Sequence, residues 1–307
     1  MRVFGQPSEL DAGGREVCAA IGMFDGVHRG HQAVLQAARD LARSGDGLAV
    51  VVTFDPHPRR VLTPEQSPAL LQSIPQKLSV LESLGMDAVW LISFDLAFSR
   101  IEGLDFLNIM KSGFGRLRAV FLGSDFHFGH KRSGNATVLE RWGAREGVEA
   151  CAVASVSCAG GTVSSTRVRE AVSGGQLDGA AAMLGRPFEL AGWVRRGDQV
   201  GRKLGFPTAN LEIEGRVHPP RGVYAARCRH EGRWLGAAVN IGLRPTLTVP
   251  TPHLQIEAHL LDWEGDCYEK ELRLEFLKRI RDEQRFESTE ELRRQIASDI
   301  EAVRRLV

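Results

Sequence analysis

The chain has 307 residues, which is long for a single small domain and favours about two domains. Hydrophobic residues make up 43% and charged residues 25% of the sequence, so its composition excludes the disordered and fibrous classes. Because 39 Lys and Arg nearly balance 38 Asp and Glu, nucleic acid is not expected as a partner, and any anionic ligand must be met by a local cluster of cations.

The N-terminus lacks the basic start and the long apolar run of a secretory signal, and no apolar stretch approaches bilayer length. We therefore expect a cytoplasmic protein with no membrane partner. The 5 cysteines are scattered and form no CxxC pair, which argues against a disulfide framework and against zinc. Reduced, mostly buried thiols are expected. The sequence leaves the oligomeric state open, a homo-oligomer included.

Between residues 16 and 173, short apolar runs alternate with helix-like segments. Continuous apolar runs of this kind predict a parallel sheet covered by helices on both faces, so we predict a doubly wound, Rossmann-like α/β domain. Its ligand crevice should lie at the carboxyl ends of the strands. The predicted strands are residues 16–22, 48–54, 88–94, 117–123 and 148–156, and residues 31–45 are a predicted helix.

The pattern changes near residue 185, where Gly and Pro follow a helix-like segment at 175–183. We place the domain boundary there, which gives domains 1–185 and 186–307. Strand-like runs separated by turns then predict a compact antiparallel β-barrel, with strands at 189–196, 222–230, 232–242, 254–263 and 270–280. A closing helix is predicted from a capping box of Ser288 and Glu291 and from a core-facing apolar stripe of Leu292, Ile296, Ile300 and Val303.

The first chemical motif lies in residues 21–35, IGMFDGVHRGHQAVL, where an apolar strand runs into a turn and a helix. Gly26 and Gly30 allow close approach of a ligand, and the first amides of the helix suit a phosphate. His28 and His31 at this place suggest nucleotidyl transfer, in which the protein positions groups and stabilises developing charge. The alternatives are plain turn residues or a metal pair, although no Cys or third His follows at metal spacing.

A second motif, TVSSTRVREAV, places three hydroxyls at a predicted helix start with a guanidinium directly behind them. Together these groups can converge on one anion, and with the HRGH motif upstream they suggest a clamp for the β- and γ-phosphates of ATP. Taken alone, the same residues could form only a helix cap followed by a solvated arginine. The residues concerned are Ser164, Ser165, Thr166 and Arg167.

Two further loops, TFDPHPRRVL and LGSDFHFGHKRSG, each follow a predicted strand and so reach the same crevice. They offer flat apolar groups for a planar ring and cations for a phosphate, and the alternative is a pair of ordinary βα loops. The groups concerned are Pro56, Pro58, Phe126, Phe128, Lys131 and Arg132.

In the second half, GDQVGRKLGFPTANL surrounds Arg202 and Lys203 with glycines and then supplies Thr208 and Asn210. Such a loop can wrap a polyphosphate, and the Thr hydroxyl and Asn amide are hard oxygen donors suited to Mg²⁺. The string matches neither a Walker A nor a protein-kinase loop, and in isolation it could be a β-turn connection. The glycines assigned to the nucleotide are Gly201 and Gly205.

If a nucleotide held by this loop transferred a phosphoryl group to an alcohol, a carboxylate would be needed to accept the hydroxyl proton. Glu257 is the candidate, because it stands inside an apolar strand-like run where an unpaired carboxylate is costly. Its alternative is the solvent face of an antiparallel strand, alternating with Ile256 and Ala258.

Taken together, GMFDGVHRGH, TFDPHP, GSDFHFG, SSTRVR and GRKLGFPTANL resemble the ordered motifs of the bacterial bifunctional riboflavin kinase/FAD synthetases, over nearly the whole chain. The resemblance implies that the C-terminal domain phosphorylates riboflavin to FMN with ATP. It also implies that the N-terminal domain adenylylates FMN to FAD with a second ATP and releases pyrophosphate, with Mg²⁺ assisting. Glu257 falls where the family carries its catalytic glutamate.

The predicted site residues follow from the motifs and the resemblance together. ATP-handling positions of the N-terminal domain are Gly22, Phe24, Asp25, His28, Gly30, His31, Ser164, Ser165, Thr166 and Arg167. Flavin-side positions are Pro56, Pro58, Asp125, Phe126, Phe128 and Arg132. Many family members have Asn where this chain has Asp125, and an ionised Asp near phosphates is repulsive unless it binds Mg²⁺ or an amide.

Two rival interpretations stay open. In one, only one of the two sites is active and the other domain serves structure or regulation. In the other, the protein binds flavin or senses nucleotide without turnover. The paired histidines and Glu257 argue against the second, since simple binding does not require them.

Overall fold

The computed structural model describes residues 1–158, 160–197, 201, 204–213, 215–230, 233–244 and 253–307. The chain divides into two compact units. The first unit comprises residues 1–68 and 74–165, and the second comprises residues 69–73 and 166–307. Residues 166–185, which the sequence analysis assigned to the N-terminal domain, lie in the second unit, so the boundary at residue 185 stays a prediction about independent folding.

The first unit is built on a parallel sheet whose strands are β1 (Arg2–Phe4), β2 (Val17–Ile21), β3 (Leu48–Asp55), β4 (Ala88–Ser93), β5 (Leu117–Gly123) and β6 (Glu149–Val153). Their order is β1-β4-β3-β2-β5-β6, and the neighbouring strands run parallel. The order reverses between β2 and β5, and a crevice opens at the carboxyl ends of the strands at such a switch point. The predicted α/β fold is confirmed, and β1 was not predicted.

Helices cover both faces of this sheet: α1 (Arg29–Arg43), α2 (Pro58–Leu62), α3 (Ile74–Ser83), α4 (Gly103–Phe114) and α5 (Ala136–Glu146). Strand β2 shows why both faces must be covered, since all of its residues are buried. Cys18 and Ala20 belong to one apolar cluster and Val17 and Ala19 to another, as the period of two residues in a strand requires. A short hairpin of β7 (Ser157–Cys158) and β8 (Gly161–Thr162) follows β6.

The second unit contains a closed antiparallel barrel, as the sequence predicts. Its strands are β9 (Phe188–Arg195), β10 (Ala209–Glu212), β11 (Gly222–His230), β12 (Arg233–Arg244), β13 (His253–Leu260) and β14 (Glu271–Arg281). The order around the barrel is β10-β13-β12-β11-β14-β9. Closure pairs the strand edges that an open sheet would leave exposed. Strand β10 was not predicted as a strand, because it lies inside the glycine-rich motif.

Helix α6 (Ser165–Ser173) begins at the last residue of the first unit and continues in the second, where α7 (Leu177–Leu184) packs on β9 and β14. The closing helix α8 (Thr289–Arg304) buries Ile300 and Val303 against the barrel, as predicted. Its capping box differs from the prediction in one bond. The Ser288 hydroxyl accepts from the Glu291 N–H, but the Glu291 carboxylate accepts from the N–H of Glu287 instead of that of Ser288.

A five-residue segment, 69–73, belongs to the second unit although the residues on either side of it belong to the first. The Leu70 N–H donates to the Gly215 carbonyl at 2.9 Å, and the Val217 N–H donates to the Leu70 carbonyl at 3.0 Å. Arg169 Nε adds a hydrogen bond to the Ala69 carbonyl at 2.8 Å. The sequence offered no signal for this strand-like pairing.

All five cysteines are free, and Cys18, Cys228 and Cys267 are buried, as expected. Burial raises the pKa of the Cys18 and Cys228 thiols to about 11. Within the described residues, none of the helices combines the length and the apolar character that a membrane crossing requires.

Candidate active sites

The turn between β2 and α1 is strained and is held by hydrogen bonds from outside it. Phe24 and Val27 have φ values of 49° and 40°, which cost about 1–3 kcal/mol each for residues other than glycine. The Met23 carbonyl accepts hydrogen bonds from Thr53 Oγ1 at 3.1 Å and from Lys77 Nζ at 2.9 Å. These two donors fix the entry to the HRGH motif.

His28 and His31 form one unit within this motif. His28 is the N-cap of α1, and its Nδ1 accepts the backbone N–H of His31 at 3.3 Å. The two rings stack with centroids 3.6 Å apart. A Cβ on Gly30 would lie 3.3 Å from the His28 ring, so glycine gives this ring its space. The His31 amide, one of those expected to face a phosphate, is therefore already used by the His28 ring.

The His31 side chain is half-buried and incompletely bonded. Its Nδ1 has no hydrogen-bond partner within the described part of the chain, and Phe24 packs edge-on against the ring at 5.2 Å. Burial holds the pKa of His31 well below its ordinary 6.5, and the charges of His28 and Lys77 act in the same direction. His31 is therefore neutral near pH 7. A buried polar atom without a partner costs about 1–3 kcal/mol, which a hydrogen bond to a ligand would recover.

The two predicted ATP motifs of the first unit meet through Ser165. Its hydroxyl donates to the backbone carbonyl of Asp25 at 2.9 Å, and Asp25 itself is 3% exposed. Gly22 begins the same turn, with its N–H bonded to the Val52 carbonyl at 3.1 Å. The predicted helix start at the SST letters is confirmed, since α6 begins at Ser165. Ser164 directly precedes it, and Thr166 and Arg167 follow in the part of α6 that belongs to the second unit.

A cavity of about 540 Å³ in the first unit has Met23 in its lining, and its size is typical of small-molecule sites. Most of the predicted flavin-side residues line it, namely Pro58, Asp125, Phe126, Phe128 and Arg132, together with Lys131. Pro56 is exposed and stands outside the described lining residues. The loops after β3 and β5 thus reach one cavity.

The aromatic wall of this cavity was largely missed by the sequence analysis. It consists of Phe54, Phe94, Phe98 and Phe106 in addition to Phe126 and Phe128. Phe54 meets Phe94 edge to face at 5.9 Å, and Phe98 meets Phe106 at 6.0 Å. Phe54 ends the apolar run of β3 and Phe94 directly follows β4, which is a signal that could have been used. Such a wall suits a planar aromatic ring.

A polar rim accompanies the aromatic wall. His127 Nδ1 lies 3.1 Å from Arg132 Nη2 and 2.9 Å from the Asp125 carbonyl oxygen. One imidazole nitrogen cannot accept from the guanidinium and donate to the carbonyl at once. The cations at this rim, Lys131 and Arg132, are exposed.

In the barrel, strand register brings the predicted catalytic glutamate beside the predicted metal ligand. Glu257 pairs with Asn210 across β10 and β13 and with Asn240 across β12 and β13. Residues directly opposite each other in a sheet share a face, so the carboxylate lies between two amides. Ile256 and Ala258 point into the barrel and are 1% exposed. Glu257 thus lies half-buried on the outer face of the barrel, as the strand-face alternative required. It stands there in a row of polar side chains that includes Asn210 and Asn240.

Gln255 is a member of this row that the sequence analysis missed. Its Nε2 donates to Asn210 Oδ1 at 2.7 Å and to Glu257 Oε1 at 3.1 Å. A residue two positions before Glu257 shares its face, which is the signal that could have found it. The Gly197 backbone approaches the Asn210 amide so closely that a Cβ would not fit. A larger residue at this position would therefore displace the Asn210 amide.

A second cavity, of about 650 Å³, lies in the barrel unit and has Thr208, Trp263, Cys267 and Tyr268 in its lining. The Gly201 carbonyl accepts from the N–H groups of Leu204 and Phe206 at 3.1 and 2.8 Å, and Gly205 has a φ of 89°. Arg202 and Lys203 lie outside the described residues.

Thr208 and Asn210 suit a magnesium ion that binds together with a nucleotide, and they suit a permanently bound metal ion less well. Among the described residues, no group of three or more His, Cys, Asp or Glu is arranged to hold a metal ion. Thr208 and Asn210 offer neutral oxygens, and Mg²⁺ characteristically takes few protein ligands because it keeps waters and binds substrate phosphates.

Comparison with known proteins matches both units to families. The model of FAD synthetase matches residues 11–167, and the model of riboflavin kinase matches residues 184–307. Bifunctional riboflavin kinase/FMN adenylyltransferase from Pseudomonas fluorescens is 39% identical over 294 residues, covering 95% of this chain and 93% of the relative. The Bacillus subtilis (strain 168) relative of the same description is 33% identical over 284 residues, covering 91% and 89%.

A solved structure described as a macrolide-efflux protein from Streptococcus pneumoniae has a TM-score of 0.85 and 26% identity, and it covers 99% of both chains. The Escherichia coli (strain K12) relative, again a bifunctional riboflavin kinase/FMN adenylyltransferase, is 37% identical over 280 residues, covering 91% of this chain and 89% of its own. The chain therefore belongs to the bifunctional riboflavin kinase/FMN adenylyltransferase family, with its FAD synthetase domain before its riboflavin kinase domain.

Proposed function

We propose that the parallel-sheet unit adenylylates FMN and the barrel unit phosphorylates riboflavin, each with its own ATP, through the residues described above. One observation carries this division. The stacked histidine pair and the Glu257–Asn210 pair fall in different units, and each unit has a cavity of small-molecule size. The partners are therefore the small molecules riboflavin, FMN and ATP.

In the first unit, the isoalloxazine ring of FMN occupies the aromatic cavity, and the FMN phosphate extends toward the turn that includes Met23. An oxygen of this phosphate attacks the α-phosphorus of ATP, the bond to the bridging oxygen breaks, and pyrophosphate leaves. Neutral His31 donates a hydrogen bond to the α-phosphate through the Nδ1 that lacks a partner among the described residues. Such a donor stabilises the charge that develops on the pentacoordinate phosphorus.

The phosphates of this ATP also need donors at the start of α6. Ser164 and Ser165 supply hydroxyls there, and Ser165 is already placed by its bond to the Asp25 carbonyl. The cations Lys131 and Arg132 at the rim of the cavity suit the FMN phosphate. The roles assigned from the sequence to Thr166 and Arg167 stay predictions.

In the barrel, the ribityl hydroxyl of riboflavin attacks the γ-phosphorus of ATP and ADP leaves. Glu257 accepts the hydroxyl proton, and Gln255 orients its carboxylate through the 3.1 Å hydrogen bond. Thr208 and Asn210 would hold Mg²⁺, which neutralises charge on the β- and γ-phosphate oxygens. Both ATP and reduced thiols are cytoplasmic features, and we place the protein in the cytoplasm.

Product analysis tests whether the chain carries out both reactions. With riboflavin, ATP and Mg²⁺, the purified chain should release ADP first and pyrophosphate later, as FMN and then FAD accumulate. With FMN in place of riboflavin, pyrophosphate should form without ADP. Absence of one product would support a chain with a single active site, and absence of both would support a flavin-binding protein without turnover. Addition of EDTA should abolish both products if Mg²⁺ serves both sites.

A further inference from the structure

Lys77 is a buried lysine on α3 that has no role in the adenylylation mechanism proposed above. The residue is 5% exposed, and its Nζ donates to the Met23 carbonyl at 2.9 Å. Burying a lysine is costly, and burial lowers the pKa of Lys77 against the opposing effect of Asp25 and Asp55. A plain apolar side chain would suit this part of the core better, so a functional reason for the lysine is needed.

The position of the Lys77 contact supplies such a reason. Met23 begins the strained turn in which Phe24 and Val27 have positive φ values, and its carbonyl also accepts from Thr53, which is fully buried. The same Met23 lines the aromatic cavity. A cation that holds this carbonyl therefore acts at the junction of the cavity and the histidine motif.

Charge links Lys77 to the histidines as well. Its positive charge is one of the causes that keep His31 neutral, after burial and the charge of His28. The charged groups that face Lys77 are Asp25, which is buried, and Asp55, which is exposed. Removal of the lysine would therefore leave the Asp25 carboxylate without this cation and would make protonation of His31 easier.

We propose that Lys77 is a positioning residue for FMN adenylylation: it clamps the Met23 carbonyl, which holds the HRGH turn in its active conformation and keeps a positive charge near His31. The inference rests on the proposed role of His31. Lys77 acts through Met23 and His31, and it is not assigned a contact with substrate.

Three variants separate the clamp from the charge, with riboflavin phosphorylation by the same chain as the internal control. Lys77→Met removes both the donor and the charge, and Lys77→Gln keeps an N–H donor without the charge. Thr53→Val is the matched control, because it removes the other donor to Met23 and leaves the charge in place. The measurements are kcat and KM for FAD formation from FMN, their pH dependence, and thermal unfolding.

For Lys77→Met, kcat for FAD formation should fall by about 10-fold or more, while the KM for FMN and the rate of riboflavin phosphorylation stay within about 2-fold. The acidic limb of the kcat profile should move to higher pH in both Lys77 variants, because the pKa of His31 rises. In Thr53→Val the rate should fall without movement of the limb. The melting temperature of Lys77→Met should be unchanged or higher, since a desolvated charge has been removed.

Two results would overturn the inference. One is a Lys77→Met protein with wild-type kcat and an unmoved acidic limb. The other is a loss of rate that accompanies a lower melting temperature with no movement of the limb, which would make Lys77 a purely structural residue. Should the Met variant fail to fold, the Gln variant decides through its pH profile. A His31→Ala protein that still makes FAD at the wild-type rate would instead refute the proposed function of His31.

Discussion

The imidazole rings of His28 and His31 lie face to face, with centroids 3.6 Å apart and planes inclined by 16°. Two imidazoles at this distance repel each other strongly when both are protonated. Burial and the charge of His28 together hold the pKa of His31 well below its ordinary value, so His31 is neutral near pH 7. The pair is thus arranged so that one ring can donate a hydrogen bond without carrying a charge.

His31→Ala should slow FAD formation from FMN by about 10²-fold or more, since a donor to the α-phosphate is lost. Riboflavin phosphorylation should stay nearly intact, because the barrel carries the kinase residues. Separate assays with FMN and with riboflavin measure the two steps. Equal loss of both activities in a folded variant would contradict the assignment of His31 to the first unit's reaction.

The lowered pKa of His31 also predicts a dependence of stability on pH. In the unfolded chain this pKa is near 6.5, so between this value and the lower folded pKa the unfolded state binds more protons. The stabilisation is complete above about pH 6.5 and is lost as the pH falls toward the folded pKa. His31→Asn should therefore lose less stability than the wild type between about pH 7.5 and about pH 5.5 in urea unfolding. Identical pH dependence would argue that His31 titrates normally.

Glu257→Gln should show the reverse of the His31 pattern, because the amide keeps the size of the side chain but cannot accept the ribityl hydroxyl proton. We expect riboflavin phosphorylation to fall by about 10²-fold or more. FAD formation from FMN should continue. If the variant phosphorylates riboflavin at the wild-type rate, Glu257 is only a residue on the outer face of β13.

Gln255→Leu should reduce riboflavin phosphorylation by about 5- to 10-fold, because the amide holds both Asn210 Oδ1 and Glu257 Oε1. Without this amide, Asn210 Oδ1 and Glu257 Oε1 each lose one hydrogen bond that orients them, so we expect the Mg²⁺ concentration required for half-maximal rate to rise. FAD formation from FMN serves as the control. An unchanged Mg²⁺ dependence would mean that Gln255 does not orient the metal ligand.

A fragment of residues 186–307 should fold and phosphorylate riboflavin but make no FAD, since the kinase motifs lie after residue 185. The structure adds that α7 packs on β9 and β14 with Leu177, Met183 and Leu184 buried. Each such side chain contributes about 1.5–3 kcal/mol on burial. A fragment of residues 166–307 should therefore melt at a higher temperature than 186–307, as circular dichroism would show. A folded 186–307 fragment without FMN product would mean that the kinase site needs residues upstream.

The sequence by itself determined the features that depend on neighbouring residues in the chain. Continuous apolar runs predicted β2 to β6, and strand-like runs between turns predicted the barrel strands other than β10, because burial on a sheet face follows a local period. Motifs such as HRGH and SST are contiguous, so their residues are brought together by one turn or one helix start. Both activities could be inferred from these strings, and Ser165 indeed begins a helix beside the Asp25 carbonyl.

Only the tertiary structure decided which distant residues share a site. Phe54, Phe94 and Phe106 form one cavity wall because the ends of β3 and β4 meet α4, and Lys77 reaches Met23 because α3 packs under the turn. The pairing of Glu257 with Asn210 depends on strand register, and a shift of one residue would move the carboxylate into the barrel. Register and strand order arise from the burial of the whole core, which no short segment of the sequence specifies.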